Sequence, residues 1–399
     1  MNRMNKQCRP NVLLAVSVAS MIDQFNLPNI RLLRELGYTV HVACNFRQGN
    51  TCDAKRVRRL KHVLDQMEVV SHQWDCPRDL SSIFDCSRAF SQLWDLTGRY
   101  RFAWMHCQSP IGGALARAAA HGRGIRVVYT AHGFHFYKGA PFKNWLLYYP
   151  VEKLLSYWTD MLVTVNREDY RLAVRRFSKA KICYTPGIGI DTARFYGVPP
   201  KRDLFCKKFA IPKDAPLLLS VGELNKGKNH KMVLDALAAI RRSNVYYMVC
   251  GQGEQYGALM EHAKKLGIMG RVRLVGYQED MPWIYRNADL FVFPSVREGM
   301  PVALLEAMAA GLACAASDIR GNRELIGPPG AGEKAGGMLF APGSVCQLAA
   351  VLLRLLDHCA FRNACGKYNR KKALYYSRAV VEKQMRGIYK EMGSCVDYG

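Results

Sequence analysis

Two series of short apolar runs, each run followed by a helix-length segment, constrain this chain more than any other feature. The first series is Val12–Val18, Val40–Cys44, a segment around Val69, Phe102–His106, Arg126–Thr130 and Met161–Val165. The second is Pro216–Val221, Tyr246–Cys250, Val272–Gly276, Leu290–Phe293 and Leu312–Ala316. Such runs suit strands buried on both faces, and their alternation with helices predicts parallel sheets covered on each side. The fold class is therefore α/β, with two sheets of one kind. A length of 399 residues also exceeds what one core sustains. Glycine and proline cluster between the series, in Tyr184-Thr-Pro-Gly-Ile-Gly-Ile-Asp191, Val198-Pro-Pro200 and Ile211-Pro212. These marks predict a first domain over 1–190, a linker over 191–212, a second domain over 213–370 and a terminal helical segment over 371–399.

Basic residues from Met1 to Arg9 ahead of Val12–Ala19 imitate a secretion signal. The apolar run has the length of a buried strand, and Phe25–Leu36 followed by Gly37–Ala43 continues it as helix and strand, so the reading here is a βαβ start. Apolar runs also fall short of the ~18 residues a membrane span needs, which leaves only peripheral membrane contact. The net charge of +25 points to an anionic partner: nucleic acid, a membrane surface or a phosphorylated substrate. The 14 cysteines include no CxxC pair, which argues against a zinc ribbon or a thioredoxin-like site and for a reducing compartment.

Within the second series, Pro294-Ser-Val-Arg-Glu-Gly-Met-Pro-Val-Ala-Leu-Leu-Glu-Ala-Met-Ala-Ala-Gly311 places Glu298 and Glu306 around the start of an apolar helix. That helix is expected from Pro301, at its first position, to Ala310, closed by Gly311. No capping side chain adjoins Pro301, so the amides of Val302 and Ala303 are available to an anion such as a diphosphate. Glu306 lies roughly 7.5 Å further along the axis, about the distance from a diphosphate to its ribose. The plainer alternative is a buried acid satisfied by a neighbouring Arg or backbone group.

Other strand ends carry similar material, and in parallel α/β sheets ligands bind at those ends. Ser220-Val-Gly-Glu-Leu-Asn-Lys-Gly-Lys-Asn-His230 resembles a phosphate-binding turn without the Walker spacing, although a solvated Lys-rich turn has the same composition. Cys250-Gly-Gln-Gly-Glu254 allows close backbone approach, and Gly276-Tyr-Gln-Glu-Asp-Met281 is placed to meet a nucleotide base. In the first series, His132 and His135 flank Gly133 just after a strand, where a structural role is the alternative. No further ligand completes a metal site there, and the chain has no Asp-x-Asp for a metal-bound diphosphate. Phe134–Trp158 mixes aromatics with Lys138, Lys143 and Lys153, and Lys55-Arg-Val-Arg-Arg-Leu-Lys61 is a basic run. Both suit an anionic bilayer surface, while a solvated helix face also explains the basic run.

Glu298-Gly-Met-Pro-Val-Ala-Leu-Leu-Glu306, the turn Val221–His230 and Tyr129-Thr-Ala-His-Gly-Phe-His-Phe-Tyr-Lys-Gly-Ala-Pro-Phe-Lys-Asn-Trp-Leu-Leu-Tyr-Tyr-Pro150 together resemble the retaining GT-B glycosyltransferases of family 4. The first of these matches their E-x7-E motif, and the subgroup the chain resembles builds bacterial capsule, exopolysaccharide and O-antigen. The resemblance implies two Rossmann-like domains facing across a cleft, the acceptor on the first, the nucleotide-sugar on the second, and a C-terminal helix crossing back. It implies that Lys228 holds the donor diphosphate, Glu306 the ribose, and Glu298 the transferred sugar. His132 then lies near that sugar and its phosphate. Gly222, Gly251 and Gly299–Val302, which includes Met300 and Pro301, provide close backbone approach and amides, and Tyr277 and Gln278 flank the base. Many members carry Arg where this chain has Glu223; either Arg297 or another base replaces that cation, or the leaving group relies on Lys228 and the helix terminus. The turn Ala19-Ser-Met-Ile-Asp23 also lacks the paired glycines common in the family.

The implied activity is retaining transfer of a hexosyl or N-acetylhexosaminyl group from a nucleotide-sugar, a UDP-sugar, to a lipid-linked glycan. The expected location is cytoplasmic and peripheral on the anionic inner face of the cell membrane. No cofactor, metal or nucleic acid takes part in this reading. The alternatives are a GT-B sugar-nucleotide epimerase or hydrolase, and a non-catalytic basic protein that binds membranes or nucleic acid.

Overall fold

A computed structural model describes residues 9–49, 53–77, 82–327 and 334–394. The chain folds as two compact units: one up to Thr185 together with the stretch from Val381 onward, the other Pro186–Val380.

The first unit is built on a parallel sheet of β1 (Asn11–Val18), β2 (Thr39–Asn45), β3 (Val70–Gln73), β4 (Phe102–Gln108), β5 (Arg126–Ala131), β6 (Met161–Thr164) and β7 (Lys181–Tyr184). Their order is β3-β2-β1-β4-β5-β6-β7, so the chain reverses direction across the sheet between β1 and β4. Seven of the eight residues of β1 are buried, as expected for a central strand, and it pairs with both β2 and β4. One core packs on each face, around Val12, Leu14 and Val40 on one side and Leu13, Met105 and Tyr129 on the other. The helix Arg378–Ser394 contributes Val381, Met385, Ile388, Tyr389 and Met392 to the first of these cores. Their spacing of three and four residues presents one apolar face. The Tyr389 hydroxyl lies 2.8 Å from His106 Nδ1, and its ring centroid is 5.2 Å from that of Trp104.

The second unit repeats the plan with β8 (Leu217–Val221), β9 (Tyr246–Cys250), β10 (Val272–Leu274), β11 (Leu290–Phe293), β12 (Cys314–Ser317) and β13 (Gly337–Phe340). The order is β10-β9-β8-β11-β12-β13, again parallel, and the reversal falls between β8 and β11. Cys250 and Cys314 are buried in this sheet as free thiols, and Cys44 is likewise buried and free in the first.

Three features differ from the sequence reading. Residues 191–212 do not stand apart as a linker: Phe195, Phe205, Phe209 and Ile211 enter the second unit's core, and the Phe205 and Trp283 ring centroids are 5.2 Å apart. The chain returns to the first unit at Val381 rather than at 371, since the Ile190 amide donates to Tyr376 O and the Arg378 amide to Ile190 O. The strands β7 and β13 lie at sheet edges and have four residues each. The apolar runs in them, Ile182-Cys-Tyr184 and Met338-Leu-Phe340, are shorter than the about four or more residues that mark a buried strand.

Candidate active site

In an open parallel sheet the crevice for ligands opens where the strand order reverses, beyond the carboxyl ends of the strands. In the second unit that point is between β8 and β11, and the turns following these two strands bear Lys228 and Glu298. The turns are tied together by the Val296 amide, which donates to Gly227 O at 3.0 Å. Across them the Lys228 Nζ donates to Glu298 Oε1 at 2.6 Å, and both side chains are largely shielded from solvent. The lysine is further held by its own amide, which donates to Asn225 Oδ1 at 3.0 Å, and by the ring of Phe293, 5.3 Å from Nζ.

Glycines make this packing possible. Gly222 has a φ of 155°, a backbone conformation that residues with a side chain rarely adopt, and it lies against the Lys228 stem. At Gly251 a Cβ would fall 1.8 Å from Gly222 O, a distance no side chain tolerates. The Gly222 amide donates to Cys250 O and the Gly251 amide to Gly276 O, so the turns after β8, β9 and β10 are stitched side by side.

The helix Val302–Ala310 follows β11 and ends at Gly311 with φ of 81°. Pro301 is the residue before it, with ψ of 114°, rather than its first helical position. From there its carbonyl accepts from the Leu305 amide at 3.2 Å. No side chain caps the helix start, so its polar end remains suited to an anion. Glu306 projects from this helix and receives the Tyr285 hydroxyl at 3.0 Å; the same hydroxyl lies 3.1 Å from Ala303 O. Burial raises the Glu306 pKa to about 7, against the pull of the Tyr285 hydrogen bond and of Arg194. The partner required for this acid is therefore chiefly a tyrosine hydroxyl.

The remaining residues of this unit vary in placement. Met300 and Val302 pack partly buried against the core, and Gly299 precedes them in the same turn. Arg297 is exposed, as is Glu223. Arg320, which the sequence reading did not single out, is 7% exposed and directs Nε toward Glu298 O at 3.4 Å. Tyr277 is exposed, and Gln278 folds back on its loop, donating to Val275 O at 2.7 Å. Asn225 and Tyr285 were also missed. The first had a local signal, an Asn three residues before the lysine in a glycine turn; the second comes from the helix Met281–Arg286 and had none.

In the first unit the order reverses between β1 and β4, and the Ser17 and Ser109 hydroxyls at those strand ends lie 2.5 Å apart. Next to them runs a buried polar chain. His132 Nε2 donates to Gln108 Oε1 at 2.8 Å, and Gln108 Nε2 donates to Asn26 Oδ1 at 2.6 Å. Burial lowers the His132 pKa to about 4. At neutral pH the ring is thus uncharged, with its proton on Nε2 and a lone pair on Nδ1. Gln108 and Asn26 were not visible as site residues in the sequence. Among the described residues no cluster of three or more His, Cys, Asp or Glu is arranged to hold a metal, and no helix is long and apolar enough to cross a membrane.

With that geometry in place, the comparisons with known proteins are consistent across the chain. Residues 27–187 match the family described as glycosyl transferase 4-like domain, and residues 201–372 match glycosyl transferases group 1. EpsD of Bacillus subtilis (strain 168), which bears the name of a glycosyltransferase, is 34% identical over 95% of this chain and 96% of its own length. The UDP-Gal:alpha-D-GlcNAc-diphosphoundecaprenol alpha-1,3-galactosyltransferase of Escherichia coli is 30% identical over 58% of this chain and 62% of its own. Among solved structures, Anabaena Alr3699/HepE in complex with UDP-glucose superposes with a TM-score of 0.76 at 16% identity, covering 96% of this chain and 99% of that one.

Proposed function

This chain belongs to the GT-B glycosyltransferases of the GT4 type, and on that premise we propose that it moves a sugar from a UDP-sugar to a lipid-linked glycan in bacterial surface-polysaccharide biosynthesis. The observation that carries this reading is the Lys228–Glu298 pair at the point where the second sheet reverses, with an uncapped helix start and Glu306 on the same turn-and-helix unit. The donor diphosphate takes Lys228 and the amides of Gly299, Met300 and Val302. The ribose hydroxyls donate to Glu306, and Glu298 passes from Lys228 to the sugar. Tyr277 and Gln278 flank the base. His132, uncharged, contacts the reacting sugar through its free lone pair.

No side chain in this reading serves as a covalent nucleophile, and the anomeric configuration is retained by front-side displacement. The C1–oxygen bond to the diphosphate breaks as the acceptor oxygen forms its bond on the same face, and the acceptor proton passes to the departing diphosphate. Lys228 and the helix amides stabilise the charge that develops there. No divalent metal takes part in the proposed step. Two relatives whose names specify diphospho-undecaprenol acceptors support the lipid-linked acceptor. Peripheral attachment to the inner membrane face is part of the reading. Its support is the exposed Lys55, Arg58, Arg59 and Lys61 of the helix Ala54–Gln66, with a net charge of +25.

Thermal stabilisation by a panel of nucleotide sugars, followed by product analysis with and without a lipid-linked acceptor, tests the proposal. Stabilisation by a uridine donor and product formation only with acceptor is expected. Turnover of donor alone at the full rate would instead identify an epimerase or hydrolase.

A further inference from the structure

The first unit carries an apolar cavity of about 210 Å³ that the donor chemistry does not use. Ile111 and Ala114 of the helix Pro110–Gly122 wall it, together with Phe134 in the turn after β5 and Leu147 and Val151 of the helix Phe142–Leu155. Leu147 and Val151 line the cavity while remaining 58% and 49% exposed. The same helix leaves Phe142 and Leu146 79% and 69% exposed. Large apolar side chains grouped in this way on a surface mark a contact site.

Of the polar residues at the cavity wall, His135 stacks on Tyr148 with ring centroids 4.4 Å apart, while Tyr129 and Glu152 engage each other and Arg117. The Tyr129 hydroxyl donates to Glu152 Oε1 at 3.1 Å and Arg117 Nη1 donates to Glu152 Oε2 at 2.9 Å. The Arg117 guanidinium lies 3.8 Å from the centre of the Tyr129 ring. The charge of Glu152 is thereby neutralised beneath the surface, and the site offers chiefly hydrocarbon contact.

Shape and position identify the occupant. A flat apolar face suits a bilayer, whereas an indentation of this volume admits a single hydrocarbon chain. Gly133–Phe136 wall the cavity and follow His132 directly, so a chain lodged there delivers its head group beside the residue read as facing the reacting sugar. Lys138, on the segment joining this turn to the helix, and Lys143, in the helix's first turn, are both exposed and supply positive charge for a phosphate. We propose that the cavity is the subsite for the polyprenyl-type hydrocarbon chain of the acceptor, next to its phosphates; this rests on the reading that the acceptor is lipid-linked.

The test is binding of farnesyl diphosphate to the full chain, compared with inorganic diphosphate, measured by calorimetry without detergent or vesicles. Farnesyl diphosphate is expected to bind about tenfold tighter or better, from burial of part of its chain. Leu147→Asn polarises one wall at an exposed position and Ala114→Phe fills the space; each is expected to remove most of that preference while leaving thermal stabilisation by UDP unchanged. Equal affinity of wild type for the two probes overturns the proposal, as does a preference that survives both substitutions. Association with anionic vesicles but no preference in solution also overturns it and makes the helix a bilayer-facing surface. A wild type that prefers farnesyl diphosphate yet transfers no sugar to a lipid diphosphate would refute the functional reading and overturn the acceptor assignment, leaving the cavity only as a hydrocarbon-chain site.

Discussion

Replacing Glu306 by Gln separates the ribose-binding role of this carboxyl from a merely structural one. In the nucleotide-free protein burial holds the Glu306 pKa at about 7, above the ordinary carboxylate value. Two ribose hydroxyls donating to one side chain require the ionised form, because a protonated carboxyl surrenders part of its acceptor capacity. Nucleotide affinity should therefore rise with pH through about 7. The ionised fraction is roughly one tenth a unit below that pKa and nine tenths a unit above it, so the dissociation constant of UDP should fall about tenfold between pH 6 and pH 8. Binding at pH 6 should also release close to one proton, visible as a dependence of the calorimetric heat on buffer ionisation enthalpy. Glu306→Gln should bind more weakly at pH 8, with this part of the pH dependence abolished and the proton release cut to what the terminal phosphate of UDP contributes. If wild type shows no proton release, or if Glu306→Gln keeps the same pH profile, the carboxylate does not take the ribose.

Lys228→Ala should lower kcat/KM on the order of 100-fold by removing the cation from the leaving group, and activity within a few-fold of wild type would refute its assignment. Transfer should persist in excess EDTA; loss restored by manganese would require a metal on the diphosphate. Gly251→Ala should cost about 2 kcal/mol or more, since its Cβ would meet Gly222 O at 1.8 Å, and a denaturant midpoint unchanged from wild type would refute the close packing of those turns. Tyr389→Phe should destabilise by about 1–3 kcal/mol, because it leaves His106 Nδ1 buried without its partner; equilibrium unfolding followed by near-ultraviolet circular dichroism measures it.

Much of this protein was legible in its sequence, because parallel sheets and uncapped helices write themselves into local pattern. Central strands such as β1 and β11 are buried on both faces and so appear as unbroken apolar runs. Gly311 closes its helix because only a residue at ease with positive φ ends it there. The chemistry of the strand-end turns followed from their composition, and the identity of Lys228, Glu298 and Glu306 as candidates required no coordinates. Of the edge strands, β3 and β10 were legible, whereas β7 and β13 were missed because each holds only a short apolar run, Ile182-Cys-Tyr184 and Met338-Leu-Phe340. Phe195 to Ile211 was read as a linker because glycine and proline mark irregular backbone, whether that backbone is free or packed into a core.

What the tertiary structure decided is which distant residues meet. The sequence separation of 70 between Lys228 and Glu298 is spanned because β8 and β11 are neighbours in the sheet. Tyr285 reaches Glu306 because the helix Met281–Arg286 packs against Val302–Ala310. Gln108 fixes the His132 tautomer because β4 and β5 run side by side. Strand order is a property of the whole chain's burial, and periodicity along the sequence carries only the local part of it.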